Sequence, residues 1–307
     1  MSHAMAVAFL AAVTSVVAAI PGVVLVLRRQ SMLTDAISHA VLPGIVIAAM
    51  MTQSIDSPWL LVGATIAGVV VVMGTQWIKD SGLVAGDSAT GLVFPPLFAL
   101  GVILLTRNFR SSHLSEHSVL IGEFNYAVRQ RVIIGTYDFG PRYAWILICI
   151  AIITMAVLLI CYRPLLAISF DLDFARVSGV RVALINQIIM VLMCLVIVAA
   201  FHVAGSILVV ALMIVPAACG SLLVRTVPRL IGVSVLIAVV GSQLGFWLGY
   251  HLDRPTSAMM AFVDGLIFVL VFVLTRVLHA RRAWTMDESE TAAASEASEP
   301  ALPAAPR

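Results

Sequence analysis

Residues 182–201 read VALINQIIMVLMCLVIVAAF, a run of 20 residues that contains no charged side chain. A helix needs about 20 predominantly apolar residues to cross the hydrocarbon core of a bilayer. The rest of the chain is similar in character, because 61% of its 307 residues are hydrophobic, 11% are charged and the mean hydropathy is +1.07. Soluble domains carry about 25% charged residues. The sequence therefore predicts an all-α integral membrane protein.

Eight more apolar stretches of similar length predict a polytopic bundle of about nine transmembrane helices, and their boundaries leave eight or ten open. No period of 20–50 residues repeats along the chain. The predicted spans are Met5–Leu27, Met32–Thr52, Pro58–Ile78, Thr90–Thr106, Tyr143–Tyr162, Val182–Phe201, Ala204–Val224, Leu230–Tyr250 and Thr256–Thr275.

Basic residues between the spans predict the orientation, because short cytoplasmic connections are enriched in Lys and Arg. Most arginines on the other side lie in one long connection, 107–142, where this bias is weaker. An external N-terminus and a cytoplasmic C-terminus place these basic residues inside: Arg28, Arg29, Lys79, Arg163, Arg176, Arg181, Arg225 and Arg229. Residues 1–283 form the predicted permease domain. Residues 284–307, rich in Ala, Ser, Glu and Pro, form a predicted disordered cytoplasmic tail.

Asp35 and His39 stand out in the second span, because polar side chains inside lipid are costly. Their spacing of four places both on one face of a helix. A carboxylate and an imidazole suit manganese, iron(II) or zinc. The alternative is a structural pair with no ligand. Pro43 lacks an N–H, so it leaves the His39 carbonyl without its helical partner and predicts a kink; Pro216 predicts a second kink in the same way.

Three other polar groups have weaker patterns. His202, at the outer end of the sixth span, is a candidate entrance ligand or a solvent-facing side chain, whereas Asp264 in the ninth span has no assigned role. In the long connection, His113, Glu116 and His117 match the H-x-x-E-H pattern of some zinc peptidases. Because the connection offers no room for a catalytic domain, a solvated surface is the default interpretation there and weak metal capture is the alternative.

The stretch FDLDFARVSGV, residues 170–180, is typical of a short helix that presents aromatic residues to a partner. Asp171 and Asp173 lie early, Arg176 lies late and Gly179 follows, as the helix dipole and a glycine cap favour. The chain contains no G-x-x-x-x-G-K-[ST] phosphate loop. If ATP drives the protein, another subunit must bind it.

The sequence resembles the zinc/manganese/iron permease family of ATP-binding-cassette (ABC) importers over about residues 5–280. Residues 28–45, RRQSMLTDAISHAVLPGI, resemble the first hallmark of that family, and residues 203–223, VAGSILVVALMIVPAACGSLL, resemble the second. The segment at 170–180 is similar to its ATPase-coupling segment, and HSVLIGEF at 117–124 favours manganese-type members. Cys219–Gly220 departs from the usual Thr–Ala of the family.

This resemblance implies a fold of the vitamin B12 importer type in the bacterial inner membrane. It implies that the chain has no permanent cofactor and no enzyme activity of its own. The implied transported ion is manganese, zinc or iron. The implied partners are a cytoplasmic ATPase, an extracytoplasmic metal-binding protein, a second identical or homologous permease and the lipid bilayer, with no nucleic acid. It assigns Asp35 and His39 to the metal, whereas His202 is a candidate ligand from its position in the span alone. The residues that it implies for coupling to the ATPase are Phe170, Asp171, Asp173, Phe174, Ala175 and Gly179. The alternatives are a siderophore or cobalamin permease and a proton-coupled metal transporter.

Overall fold

A computed structural model describes residues 2–52, 59–82, 84, 88–108, 124–134, 137–170 and 172–297. Within these ranges it contains nine helices that are long and apolar enough to span a membrane, as the sequence predicted. They are α1 (His3–Leu27), α2 (Met32–Thr52), α3 (Trp59–Asp80), α4 (Ser88–Asn108), α6 (Arg142–Ile160), α9 (Val182–Ala204), α10 (Ser206–Leu223), α11 (Val227–Leu252) and the Thr256–Leu278 part of α12 (Thr256–Ala297).

Short elements fill the longer connections. Helix α5 (Phe124–Ala127) precedes two antiparallel strands, β1 (Arg131–Ile134) and β2 (Tyr137–Pro141), in which Ile134 pairs with Tyr137. Helices α7 (Tyr162–Phe170) and α8 (Leu172–Val177) lie between α6 and α9. The motif of His113, Glu116 and His117 lies outside the described residues, and so does Asp171.

Local sequence explains where several helices begin and end. The hydroxyl of Ser2 accepts a hydrogen bond from the Met5 amide at 3.3 Å and caps the start of α1. Gly205, with φ of 79°, separates α9 from α10, in a backbone conformation that glycine adopts at little cost. The last helix extends to Ala297, into the segment predicted as a tail, and the domain boundary at residue 284 stays a prediction.

Helix α1 lies at the centre of the bundle, with most of its residues from Ala6 to Leu25 buried. It packs against α6, α9, α10 and α11. Two hydrogen bonds join it to α11: Ser242 Oγ donates to Ser15 Oγ at 3.1 Å, and Gln243 Nε2 donates to the Ala8 carbonyl at 2.9 Å. Hydrogen bonds of this kind hold helices together where lipid supplies no hydrophobic driving force.

Helix α2 packs mainly on α3 and α4. Its backbone contacts that of α3 where Gly44 faces Gly63, since a Cβ on either glycine would overlap the other residue's carbonyl. Small residues permit this close approach of two membrane helices. The contact fixes the position of α2, the helix that carries Asp35 and His39.

Candidate functional site

Asp35 and His39 line an opening in an otherwise buried stretch of helix. Between residues 33 and 44 of α2, all residues are buried except Asp35 and His39. The side chains of Asp35 and His39 are 45% and 30% exposed. The predicted common face is therefore present, and it is the part of this stretch that an ion could reach.

The distance between the two side chains fits a shared ion. His39 Nε2 lies 3.4 Å from Asp35 Oδ1, which is long for a hydrogen bond. Two ligands held at about 2.1 Å from one divalent ion, at a tetrahedral angle, would be separated by about 3.4 Å. His39 Nδ1 is buried and has no hydrogen-bond partner among the described residues, so no protein group fixes the tautomer through this atom.

Two phenylalanines of α4 enclose His39, and the sequence analysis missed both. The imidazole stacks on Phe94 with ring centroids 6.1 Å apart and meets Phe98 edge-on at 5.5 Å. These rings cover one side of the imidazole with apolar surface and limit its rotation. The spacing of four between Phe94 and Phe98 was the signal available in the sequence, because it places both rings on one helix face.

Pro43 lies inside α2, which continues through it to Thr52. Its ring packs against Gly101 of α4, where a Cβ would come within 2.8 Å of the proline Cδ. Because proline has no N–H, the His39 carbonyl lacks its usual helical donor beside the two side chains. Pro216 likewise lies inside the continuous helix α10, and a kink at either proline stays a prediction.

The structure does not bring His202 to Asp35 and His39. His202 lies in the last turn of α9, where its Nε2 is 2.9 Å from the hydroxyl of Tyr143. The start of α9 is joined to the end of α1 by a hydrogen bond from Arg28 to Asn186. His202 lies 16 residues beyond Asn186, about 24 Å along the axis, and thus at the opposite end of the bundle.

Asp264 is fully buried in α12, and neither carboxylate oxygen has a hydrogen-bond partner among the described residues. The carboxyl group lies against Gly241 of α11, which has no side chain to occupy that space. Nothing in the described part of the chain groups three or more His, Cys, Asp or Glu side chains around a metal-sized space. Asp264 therefore does not complete a site with Asp35 and His39.

The predicted coupling segment, residues 170–180, begins at the last residue of α7 and contains α8 and the turn that follows it. Phe174 and Val177 of α8 are 62% and 88% exposed, whereas Ala175 is buried. Asp173 and Arg176 form an ion pair at 3.5 Å. Gly179, with φ of 75°, ends the helix as predicted, and the next residue closes the cap with a hydrogen bond from the Val180 amide to the Ala175 carbonyl at 3.1 Å. The side chain of Phe170 lies outside the described residues.

Nine apolar helices long enough to span a membrane, within the described ranges, define a polytopic membrane protein. The chain belongs to the ABC 3 transport family, whose profile matches residues 1–275. This match confirms the family resemblance of the two hallmark segments.

Several known proteins are similar to this chain over most of its length. The chain is 34% identical over 254 residues to the manganese transport system membrane protein MntD of Bacillus subtilis, covering 83% of this chain and 86% of the relative. It is 35% identical over 271 residues to the zinc transport system membrane protein TroD of Treponema pallidum, covering 88% and 74%. The solved structure of PsaBC from Streptococcus pneumoniae, in complex with Fab, superposes with a TM-score of 0.72 at 26% identity, covering 89% of this chain and 91% of that one.

Proposed function

We propose that this chain is the membrane-spanning permease of an ABC importer for a divalent metal ion, manganese, zinc or iron(II). The half-exposed pair of Asp35 and His39 in a buried helix carries the proposal. A carboxylate oxygen and an imidazole nitrogen bind such ions, whereas thiolates would select softer ones. Two protein ligands, supplemented by water, bind weakly enough for the ion to leave again.

The proposal includes the partners that such a permease needs. A cytoplasmic ATPase docks on α7 and α8, where Phe174 and Val177 are exposed. An extracytoplasmic binding protein delivers the metal at the opposite end, and a second permease, identical or homologous, completes the transporter in the bacterial inner membrane. The relatives' names include manganese, zinc and iron transport systems, and the donor pair suits all three ions.

Uptake into proteoliposomes tests the function. We expect liposomes that contain the chain with its ATPase and binding protein to accumulate radioactive manganese well above the same liposomes without ATP, because ATP hydrolysis drives the import. Unlabelled zinc and iron(II) should compete. Liposomes with the chain alone are the control and should show no ATP-dependent uptake.

Two results would contradict this proposal and favour the alternatives. Uptake driven by a proton gradient without ATP would indicate a proton-coupled metal transporter. ATP-driven uptake of a siderophore or cobalamin, with none of the free ion, would indicate a permease for metal chelates.

The proposed orientation, with the N-terminus outside, predicts opposite labelling of two turns. Ser178 lies in the exposed turn after α8, and Arg254 lies in the exposed turn between α11 and α12. In a background whose four native cysteines are replaced by alanine, we expect Arg254→Cys to react with an impermeant thiol reagent in intact cells. Ser178→Cys should react only after lysis, because its turn is cytoplasmic. The reverse pattern would overturn the orientation.

A further inference from the structure

Four polar side chains form a hydrogen-bonded chain across three helices at the end of the bundle that holds α7 and α8. Arg28 Nη1 donates to Asn186 Oδ1 at 2.7 Å, and Asn186 Nδ2 donates to Gln76 Oε1 at 3.3 Å. Gln76 Nε2 then donates to Asp80 Oδ1 at 2.9 Å. This series of hydrogen bonds runs from the Arg28 guanidinium to the Asp80 carboxylate through two side-chain amides. In such a series each hydrogen bond polarises the next.

Asn186 is the central residue of this chain. It accepts from Arg28, which follows α1, and donates to Gln76 in the last two turns of α3. The Arg28 side chain is half-buried, and burial lowers the pKa of Arg28. An arginine in a protein nevertheless keeps its charge, so the guanidinium needs a polar acceptor there. Asn186 supplies one in a charge-assisted hydrogen bond.

The position of Asn186 connects the coupling segment to the metal pair. The short turn 178–181 joins α8 to α9, and Asn186 lies in the second turn of α9. On the other side, Arg28 begins the tight turn into α2, in which Arg29 has φ of 54° and the Gln30 amide donates to the Leu25 carbonyl at 3.0 Å. Asp35 follows within the first two turns of α2.

A crevice lies beside this series of hydrogen bonds. It has a volume of about 540 Å³ and lies between α3, α6 and α9, with Gln76, Asp80 and Asn186 among its polar lining and mostly apolar side chains elsewhere. Helices α3 and α9 also pack directly on each other, where Gly68 lies against Cys194. The hydrogen bond from Asn186 to Gln76 adds a polar connection between the two helices at this end. A shift at the start of α9 would displace Asn186 and both of its hydrogen bonds.

We propose that Asn186 is a positioning residue that transmits movement of α7 and α8 to the metal pair through Arg28 and the α1–α2 turn. This inference rests on the proposed function. A rotation or translation of the start of α9 displaces Arg28 through its hydrogen bond with Asn186, which is the shortest of the three. The same shift moves Gln76, so α1 and α3, the two helices joined by Asn186, respond together. Both neighbour α2, one in sequence and the other by packing.

The test is the ratio of manganese transported to ATP hydrolysed by the complete transporter in proteoliposomes. We expect Asn186→Leu, which is similar in size but cannot form hydrogen bonds, to lower this ratio about tenfold, within the range typical of coupling between sites. ATP hydrolysis and the KM for manganese should stay within twofold of wild type, because neither the ATPase surface nor Asp35 and His39 are altered. Asn186→Asp should keep at least half of the wild-type ratio, since its carboxylate still accepts from Arg28.

Gln187→Leu is the matched control, because Gln187 is the exposed neighbour of Asn186 in α9, and its ratio should equal that of wild type. If Asn186→Leu does not accumulate in the membrane, Asn186→Ala takes its place with the same expectation. An unchanged ratio in the apolar variant, or an equal loss in Asn186→Asp and Gln187→Leu, would overturn the inference. Absence of ATP-dependent uptake by the wild-type transporter would instead contradict the proposed function, and the inference with it.

Discussion

Asp35→Asn is expected to abolish metal uptake, although it preserves the size of the side chain and most of its hydrogen-bonding capacity. The change deletes the formal negative charge of the ligand pair. At an effective dielectric constant of about 20, two unit charges about 4 Å apart attract by about 4 kcal/mol, and a divalent ion in direct contact gains more. A loss of this size lowers affinity at least about 100-fold. Accumulation of radioactive manganese or zinc in cells, normalised to permease abundance in the membrane, measures the effect.

The pair should behave as one functional group. We expect His39→Ala to be nearly as defective as Asp35→Asn, and the double variant to be no worse than either single one, because groups that serve one step are not additive. Asp35→Glu keeps the charge and is the control, and it should retain part of the uptake. Wild-type uptake by Asp35→Asn at normal abundance would show that Asp35 and His39 are structural.

Phe174→Asp is expected to uncouple the permease from its ATPase while leaving membrane insertion intact. Phe174 is 62% exposed on α8, and aromatic residues are typical anchors of protein interfaces. Loss of such an anchor costs about 2 kcal/mol or more, which corresponds to about 30-fold in affinity. Co-purification of the ATPase and stimulation of its activity by the permease measure the loss.

Phe174→Tyr is the matched control for this experiment, because it keeps the ring and adds only a hydroxyl. We expect it to retain co-purification and uptake. If the aspartate variant imports metal at the wild-type rate, the ATPase docks elsewhere and the assignment of α8 is wrong.

The sequence was sufficient to predict the spans and the common helix face of Asp35 and His39, because both follow from local periodicity. An apolar run long enough for the bilayer has few alternatives, and its backbone groups must be satisfied within the helix. The spacing of Asp35 and His39 fixes their common face in any α-helix. The short helix before Gly179 follows from the same kind of local signal, since the positive φ after α8 favours glycine.

Contacts between helices that are distant in sequence could not be predicted in the same way. Phe94 and Phe98 meet His39 only because α4 packs on α2, and neither ring has a polar atom that marks it as part of a site. The bond between Arg28 and Asn186 joins residues 158 positions apart. In sequence Asn186 is one amide at the start of an apolar span, and its role depends on which helix lies beside it.

His202 illustrates the same limit from the opposite direction. Its residue type suits a metal, yet its place at the far end of α9, beside Tyr143, separates it from the pair. Asp264 remains a buried carboxyl group without a role in the proposed site. Residue chemistry suggests candidates for a site. Their positions along the packed helices determine which of them lie close enough to act together.

The two contacts between α2 and α4 affect how these helices can move. His39 lies against Phe94 and Phe98, and Pro43 packs on Gly101, so the contacts span about 10 Å of α4 from Phe94 to Gly101. Contacts at two levels restrain both the distance and the angle between the helices. We therefore expect α2 and α4 to move together around Asp35 and His39. An ion held by Asp35 and His39 would then leave through the exposed side of this pair when neighbouring helices slide past α2 and α4.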